Sequence, residues 1–164
     1  MSVSSVVTDP VALTMTVKAD LDATVERAWA LWADPRQFER WWGPPGYPVQ
    51  VHDHDLRTGG QVTFSMGADE EQHHSEWAVV AAEPPRHLEL RDADVDDEGR
   101  PNDGNAMTAM HVTIAEREQG GVVMEIRTHF SSLAGMEQEI ATGFDEGMRM
   151  ILGQIEAVLA GGPA

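Results

Sequence analysis

Two kinds of hydrophobic spacing divide this chain, and their order constrains its fold more than any other feature. Between Pro48 and Phe130 apolar and polar residues alternate in short segments, which is typical of strands with one buried face. From about Met136 to Leu159 apolar residues instead recur every three or four positions. This second spacing predicts a single C-terminal helix of about 35 Å, long enough to lie across a small sheet.

The alternating segments predict an antiparallel sheet of seven strands. A first strand is expected around Leu13, Met15 and Val17, and Gly or Pro turns separate the others. The six later strands are predicted at Pro48–Leu56, Gln61–Met66, His74–Ala82, His87–Arg91, Ala106–Glu116 and Val122–Phe130. Because such a sheet must cover one face, we expect the C-terminal helix to pack on it.

Two short helices are predicted after the first strand. Thr24 can cap a helix that ends before Asp34-Pro35 and carries Trp29 and Trp32 on one stripe, and a short turn around residues 38–42 follows. The fold class is therefore α+β. Residues 1–10 are expected to form a flexible tail, and residues 11–160 a single domain.

Charge and composition exclude several classes of function. The chain has 164 residues with 28 Asp and Glu against 11 Lys and Arg, a formal net charge of -17. Such a surface repels phosphate groups, so we expect neither a nucleic-acid nor a membrane partner. The absence of cysteine excludes disulfides and thiolate chemistry. The N-terminal residues lack the features of a signal peptide, so the expected location is the cytoplasm.

Three motifs resemble a known family. They are the run Ala33-Asp34-Pro35 with Phe38 and Trp41-Trp42-Gly43-Pro44, then Asp55-Leu56-Arg57 with Gly59-Gly60, and finally Glu83-Pro84-Pro85 with Leu88. At this spacing they are similar to the activator of heat-shock protein 90 ATPase homologue-like family, in the START-like (SRPBCC) superfamily. The resemblance spans about residues 12–160. It implies a helix-grip fold, in which a curved sheet wraps around the C-terminal helix and encloses a hydrophobic cavity.

The resemblance and the strand pattern together suggest which residues line that cavity. Strand alternation places Met110, Val112 and Ile114 on one face with Met124 and Ile126. The proposed ligand-binding residues are Trp42, Phe64, Met66, Trp77, Met110, Val112, Met124, Ile126, Ile140, Phe144, Met148 and Ile151. The same side chains would equally fill a dry core. Gly143 and Gly147, one helical turn apart, would either let the helix approach the sheet or leave room between them.

No metal, cofactor or catalytic group is predicted. His52 and His54 lie two residues apart on a strand, hence on one face, near His73-His74, but surface histidines explain this spacing better than a zinc site. The acidic segment around Asp94, Asp96 and Glu98 departs from a calcium-binding loop. Glu76 and Glu125 are expected to face solvent.

The leading functional hypothesis is the binding of a small hydrophobic or amphipathic ligand between the sheet and the C-terminal helix. One alternative is a protein-interaction module without a ligand, either a chaperone cofactor or a homodimer. The other is a cavity enzyme of the cyclase or hydrolase type, which requires an inward polar group with a shifted pKa.

Overall fold

The computed structural model describes residues 2–43, 48–68, 71–92, 107–141 and 143–160. The strands are β1 (Ser2–Asp9), β2 (Thr14–Leu21), β3 (Val49–His54), β4 (Gln61–Ala68), β5 (Glu71–Glu83), β6 (His87–Asp92), β7 (Met107–Glu116) and β8 (Val122–Phe130). The helices are α1 (Val25–Ala33), α2 (Pro35–Trp41), α3 (Leu133–Ala141), α4 (Phe144–Gly153) and α5 (Ile155–Ala160).

All eight strands form one antiparallel sheet in the order β1-β2-β8-β7-β6-β5-β4-β3. The sequence predicted seven strands and a flexible tail, and both predictions were wrong at the N-terminus. Residues 2–9 form the edge strand β1, in which Val6 pairs with Val17 and Val7 with Thr16. The two short helices therefore follow the second strand and not the first.

One face of the sheet, here called the inner face, carries the core. Val17, Ile126 and Val112 are directly opposite one another on β2, β8 and β7, and each is no more than 2% exposed. Ion-paired and polar residues such as Lys18, Glu125 and Arg127 occupy the opposite, outer face. The predicted facing of β7 and β8 is thus confirmed, and Glu76 and Glu125 lie outside the core as expected.

The C-terminal helix is divided into three segments, where the sequence predicted one. Gly143 precedes α4 with a φ of 96°, a left-handed conformation that glycine adopts without strain, and Gln154 separates α4 from α5. A Cβ on Gly143 or Gly147 would meet nothing within 4 Å, so neither glycine serves a close approach to the sheet. The apolar period continues across the breaks because Met136, Met148 and Ile155 all enter the same core.

Two sets of side-chain hydrogen bonds, from Arg27 and Gln154, connect the helices. The Arg27 guanidinium donates to the Gln37 side-chain oxygen and, at 3.1 Å, to the Val158 carbonyl, which joins α1, α2 and α5. The Gln154 amide donates to the carbonyls of Trp41 and Gly43 at 3.0 and 2.7 Å. Because these donors satisfy helix-end carbonyls that would otherwise lack partners, they fix α2 against the C-terminal segments.

Candidate functional site

A small pocket lies between helices α1 and α2 and strands β3 to β6. Its lining is Trp32, Phe38, His54, Leu56, Val62, Trp77 and Leu90. Trp32, Phe38, Val62 and Leu90 are at most 2% exposed and form a buried floor. His54, Leu56 and Trp77 are half-buried and form the mouth. The cavity volume is about 10 Å³, which is room for about one water molecule.

Aromatic rings surround the pocket on the side of α2. Phe38 lies at the centre of this group, with ring-centroid distances of 6.0 Å to Trp32, 5.6 Å to Phe64 and 5.9 Å to Trp77. Trp77 meets Phe64 edge-on at 4.9 Å and Trp42 edge-on at 5.3 Å. Edge-to-face packing of this kind is a favoured geometry for aromatic side-chain pairs.

Two of the tryptophans near the pocket are held by indole N–H hydrogen bonds. Trp41 donates to the Leu31 carbonyl at 2.8 Å, and Trp32 donates to the Met124 sulfur at 3.3 Å. In the described part of the chain the Trp77 indole N–H has no hydrogen-bond partner. Ring packing against Phe64 and Trp42 therefore positions the Trp77 side chain.

His54 reaches the pocket because of a β-bulge. The register of β3 against β4 shifts between Val51 and Asp53, so that β3 contains one extra residue, His52. A bulge of this kind reverses the alternation of side chains along the strand. His52 bonds Ser65 on the outer face at 3.0 Å, whereas His54 turns to the inner face. The prediction that both histidines share a face was therefore wrong.

The hydrogen bond of His54 defines its tautomer. His54 Nε2 lies 2.9 Å from the Trp32 carbonyl oxygen, and a carbonyl only accepts, so Nε2 carries the hydrogen. In the neutral imidazole the other nitrogen, Nδ1, is then an acceptor. Nδ1 has no partner among the described residues. The surface that the pocket presents is apolar, although His54 is among its lining residues.

The loop that carries Leu56 is held tightly on both sides. Gly59 N–H donates to the Val79 carbonyl at 2.9 Å, and Val79 N–H donates to the Gly60 carbonyl at 3.0 Å. A Cβ on Gly60 would lie 2.1 Å from the Asp55 carbonyl oxygen, so only glycine fits there. The loop on the Leu56 side of the mouth is therefore fixed to β5, the strand that also carries Trp77.

The helix α2, which supplies Phe38, begins at a capped N-terminus. Asp34 accepts hydrogen bonds from the Gln37 side-chain amide at 3.1 Å and from the Arg36 N–H at 2.9 Å. The Gln37 amide is the largest influence that lowers the pKa of the Asp34 carboxyl below its usual value, and backbone N–H groups and the Arg36 charge add to it against a smaller opposing effect of burial. Pro35 occupies the first turn, where its missing N–H costs nothing.

The twelve predicted ligand-binding residues lie mostly in or against the core. Val112, Met124 and Ile126 are at most 1% exposed and lie in the closed core, and Trp42, Phe64, Met110, Met148 and Ile151 are also buried. Met66 and Ile140 pack partly buried against that core, and Phe144 begins α4, with its side chain outside the described residues. Of the twelve, Trp77 alone lines the described pocket, next to Phe64 and Trp42.

Six of the seven lining residues were not among the predicted ligand-binding residues. Trp32 was assigned to the apolar stripe of the first short helix and Phe38 to the short helical turn after it, and the structure places both residues in helices. Nothing in the alternation of β3 indicates that His54 turns inward, since a bulge has no required residue type. Leu56 follows a strand and belongs to a family motif, which was the available signal.

The outer face carries a second group of histidines on β6, β7 and β8. The ring centroids of His111 and His129 are 4.9 Å apart, and those of His87 and His111 are 6.3 Å apart. His111 Nε2 contacts a Glu89 carboxylate oxygen at 2.9 Å. Burial lowers the pKa of His129 below its usual value, with His111 and Arg127 adding to the effect, and its Nε2 is buried without a partner.

The described residues contain no set of three or more histidine and acidic side chains arranged to hold a metal ion. The calcium alternative for Asp94, Asp96 and Glu98 lies outside the described residues, as does the side chain of His73. His74 is exposed, with its ring 6.2 Å from that of His52. None of the helices in the described residues is long and apolar enough to cross a membrane.

An eight-stranded antiparallel sheet with short helices after its second strand and helical segments at its C-terminus defines an α+β protein of the START-like type. The family model described as activator of Hsp90 ATPase homolog 1-like protein matches residues 22–160. The chain belongs to this family, as its motifs predicted. No curated protein matches it.

Solved structures agree with this assignment. A protein from Arthrobacter aurescens, solved by solution NMR, is 38% identical, with 99% of this chain and 94% of that chain covered and a TM-score of 0.85. Protein Ms6760 from Mycobacterium smegmatis is 34% identical over 97% and 98% of the two chains, with a TM-score of 0.82. An AHSA1 protein from Silicibacter pomeroyi is similar in fold, at 20% identity over 90% and 97% and a TM-score of 0.65.

Proposed function

We propose that this protein binds a small apolar or amphipathic molecule at the pocket whose mouth is formed by His54, Leu56 and Trp77. The observation that carries the proposal is the lining itself, a buried apolar floor beneath a half-buried mouth, with an apolar accessible surface. Small-molecule sites are lined predominantly by apolar and aromatic side chains, because buried apolar area supplies affinity.

The proposal moves the site from where the sequence placed it. Residues between the sheet and the C-terminal segments, such as Met124, Ile126 and Ile155, are almost completely buried. The space beneath α1 and α2 is bounded by side chains that retain access to solvent. A ligand there would contact Trp77 and Phe64, which the predicted set contains, but not Val112 or Met148.

Binding requires Trp77 to move, since the cavity holds about one water molecule as it stands. Its indole N–H has no partner among the described residues, and its neighbours Phe64 and Trp42 contact it by ring edges. Movement of the Trp77 side chain would therefore break no described hydrogen bond, and an aromatic ligand in its place would take over its ring contacts with Phe38, Phe64 and Trp42.

Toluene is a suitable probe because it is apolar, neutral and about the size of the space an indole leaves. The five Trp indole N–H signals in a ¹H–¹⁵N spectrum provide the readout, with Trp77 assigned from Trp77→Phe. Saturable shifts at the Trp77 signal support the proposal. Trp77→Ala should bind toluene at least several-fold more tightly, because it opens the pocket.

Trp29→Ala is the matched control. It also removes an indole from the core, but Trp29 does not line the pocket, so its toluene affinity should equal that of the wild type. If neither the wild type nor Trp77→Ala shows a saturable shift, the pocket is not a binding site. Native mass spectrometry of the freshly purified chain, followed by denaturing extraction, would identify a ligand that co-purifies. The interaction-module and enzyme alternatives stay predictions.

A further inference from the structure

The two edges of the eight-stranded sheet are protected to different extents. At the β3 edge, the Val51 N–H donates to Glu39 Oε2 of α2 at 2.8 Å, and the bulge at His52 and the charge of Asp53 interrupt the strand. Bulges, charged side chains and a covering helix are the usual devices that keep an edge strand from pairing with another chain. The β3 edge is therefore closed to a further strand.

The β1 edge lacks this protection in its regular segment, residues 5–9. The segment follows the register shift between Val3 and Ser5 and pairs with residues 14–18 of β2. Its first four residues are Ser, Val, Val and Thr, which include neither a charge nor a proline. Within the described ranges, no side chain caps its free side as Glu39 caps β3. Because alternate residues of an edge strand direct their N–H and C=O groups away from the sheet, this segment can accept another strand.

The side chains on the outer face of this segment suit a second copy of the chain. Val7, at the midpoint, is 58% exposed. Asp9 lies at one end, and Ser5, whose partner on β2 is Lys18, lies at the other. An antiparallel pairing of the segment with itself, about a twofold axis at Val7, places the two copies of Val7 opposite each other. It also places Asp9 of each copy opposite Ser5 of the other.

This register brings opposite charges together. Lys18 and Asp9 of the second copy would lie on either side of Ser5, whose small side chain leaves space between them. Neighbouring strands lie about 4.8 Å apart, so the two backbones would be about 10 Å from each other, a gap that the Lys and Asp side chains together span. The twofold axis repeats this ion pair. No like charges lie directly opposite each other within the five paired residues.

We propose that the β1 edge is a self-association surface, at which residues 5–9 of two copies pair antiparallel and join their sheets. The contact is short and each copy carries a net charge of -17, so association is weak and reversible. The surface is separate from the pocket, which lies against β3 to β6 at the other side of the sheet. Self-association and toluene binding can therefore be measured independently.

Sedimentation equilibrium of the wild type over a range of concentrations is the first test. Hydrogen exchange of backbone amides at low and high protein concentration then locates the contact. We expect a reversible dimer, in which protection of the amides in residues 5–9 rises with concentration while that of the β3 amides does not change. A chain that stays monomeric, or a dimer whose added protection lies outside β1, would overturn the proposal.

Val7→Lys is the corresponding variant. It places like charges directly opposite each other and should weaken dimerisation about tenfold. Val80→Lys is the matched control, because Val80 is also exposed, at 45%, but lies on β5 in the interior of the sheet. This control should dimerise as the wild type does. Equal dissociation constants for Val7→Lys and the wild type would contradict the β1 contact.

Charge reversal tests the register. Lys18→Asp brings acidic side chains together across Ser5, and Asp9→Lys brings basic ones together, so each single variant should dimerise several-fold less tightly than the wild type. The double variant restores opposite charges and should recover dimerisation. It still lacks the bonds from Asp9 to the Val11 and Ala12 N–H groups, so a recovery would not come from a repaired turn. A folded double variant, checked by circular dichroism, that does not recover would overturn the proposed pairing.

Discussion

The inner face of the sheet has two halves that are equally apolar and differ in how they are closed. The first, here called the sealed half, comprises β2, β8 and β7, where Ile126, Met124 and Val112 are at most 1% exposed. The second, the open half, comprises β3 to β6, where His54, Leu56 and Trp77 keep partial contact with solvent. Helices α1 and α3 pack on β8, whereas the strands of the open half meet α2 and a loop.

The difference shows that hydrophobic sequence does not decide where a cavity forms. Met124 and Trp77 were equally good candidates from strand pattern alone. Met124 is covered by α1, whose Trp32 donates to its sulfur, whereas Trp77 is half-buried, with Phe38, Phe64 and Trp42 as its ring neighbours. The element that covers a position determines whether it lies in the core or at the pocket mouth. Four substitutions test this difference.

The largest effect should come from truncation in the sealed half. Ile126→Ala leaves a cavity in closed packing and is expected to lower the free energy of unfolding by about 3 kcal/mol. Leu56→Ala, at the mouth, should cost about 1 kcal/mol, because solvent can fill the space. Urea unfolding followed by tryptophan fluorescence measures both. Equal losses of unfolding free energy in the two variants would mean that the two halves are packed equally tightly.

A smaller effect is expected from the loop that forms the rigid side of the mouth. Gly60→Ala places a Cβ 2.1 Å from the Asp55 carbonyl, so the loop must shift, at a cost of about 2 kcal/mol. Leu56 should move with it, and toluene affinity should change. Gly147→Ala in α4 is the matched control, since its Cβ meets nothing within 4 Å, and it should stabilise the protein by about 1 kcal/mol. If Gly60→Ala leaves the free energy of unfolding unchanged, the loop is not rigid.

The cap of α2 tests how firmly the floor of the open half is held. Asp34→Ala removes acceptors for the Gln37 amide and the Arg36 N–H and should cost about 1 kcal/mol at pH 7. Because the pKa of Asp34 in the folded protein lies below its usual value of 3.8, its contribution is present above about pH 4 and is lost as pH falls through the folded pKa. Unfolding free energies of wild type and variant should therefore converge in acid.

The smallest effect should appear on the outer face of the sealed half. The pKa of His129 is lowered on folding, so the unfolded chain binds a proton first as pH falls below 6.5, and stability declines from that point to the folded pKa. His129→Gln should flatten the decline in this window. The exposed His74, replaced in the same way, is the control. If the pH dependence of the unfolding free energy is the same in His129→Gln, another residue causes the decline.

Regular alternation made most of the sheet predictable. The two-residue period predicted which residues of β7 and β8 face the core, and these are Val112, Ile114, Met124 and Ile126. The helical period likewise placed Trp29 and Trp32 together on the buried stripe of α1. Strand β1 was missed because its Ser, Thr and Val residues carry no strong period, and an edge strand depends on a partner, here β2. The helix break at Gly143 was missed because the apolar spacing continues on both sides of it.

The candidate site was much less predictable. Its geometry depends on how α1 and α2 dock on strands far away in the sequence, as when the His54 ring meets the Trp32 carbonyl. It depends also on one extra residue in β3, which reverses the side-chain alternation after Val51. Neither the docking of the helices nor the extra residue in β3 is marked by a characteristic residue type in the sequence. The residue types were known from the sequence, but which side chains lie next to one another could not be predicted from it.

The pairing of β2 with β8 has a consequence for how the chain folds. Leu21 is opposite Val122, so this ladder closes a loop of about 100 residues, whereas every other strand pairs with its neighbour in sequence. During synthesis the β1–β2 hairpin must therefore wait, with one side of β2 unpaired, until nearly all of the chain has emerged. Because such non-local contacts slow folding, this single ladder is expected to be the last part of the sheet to form and to set the folding rate.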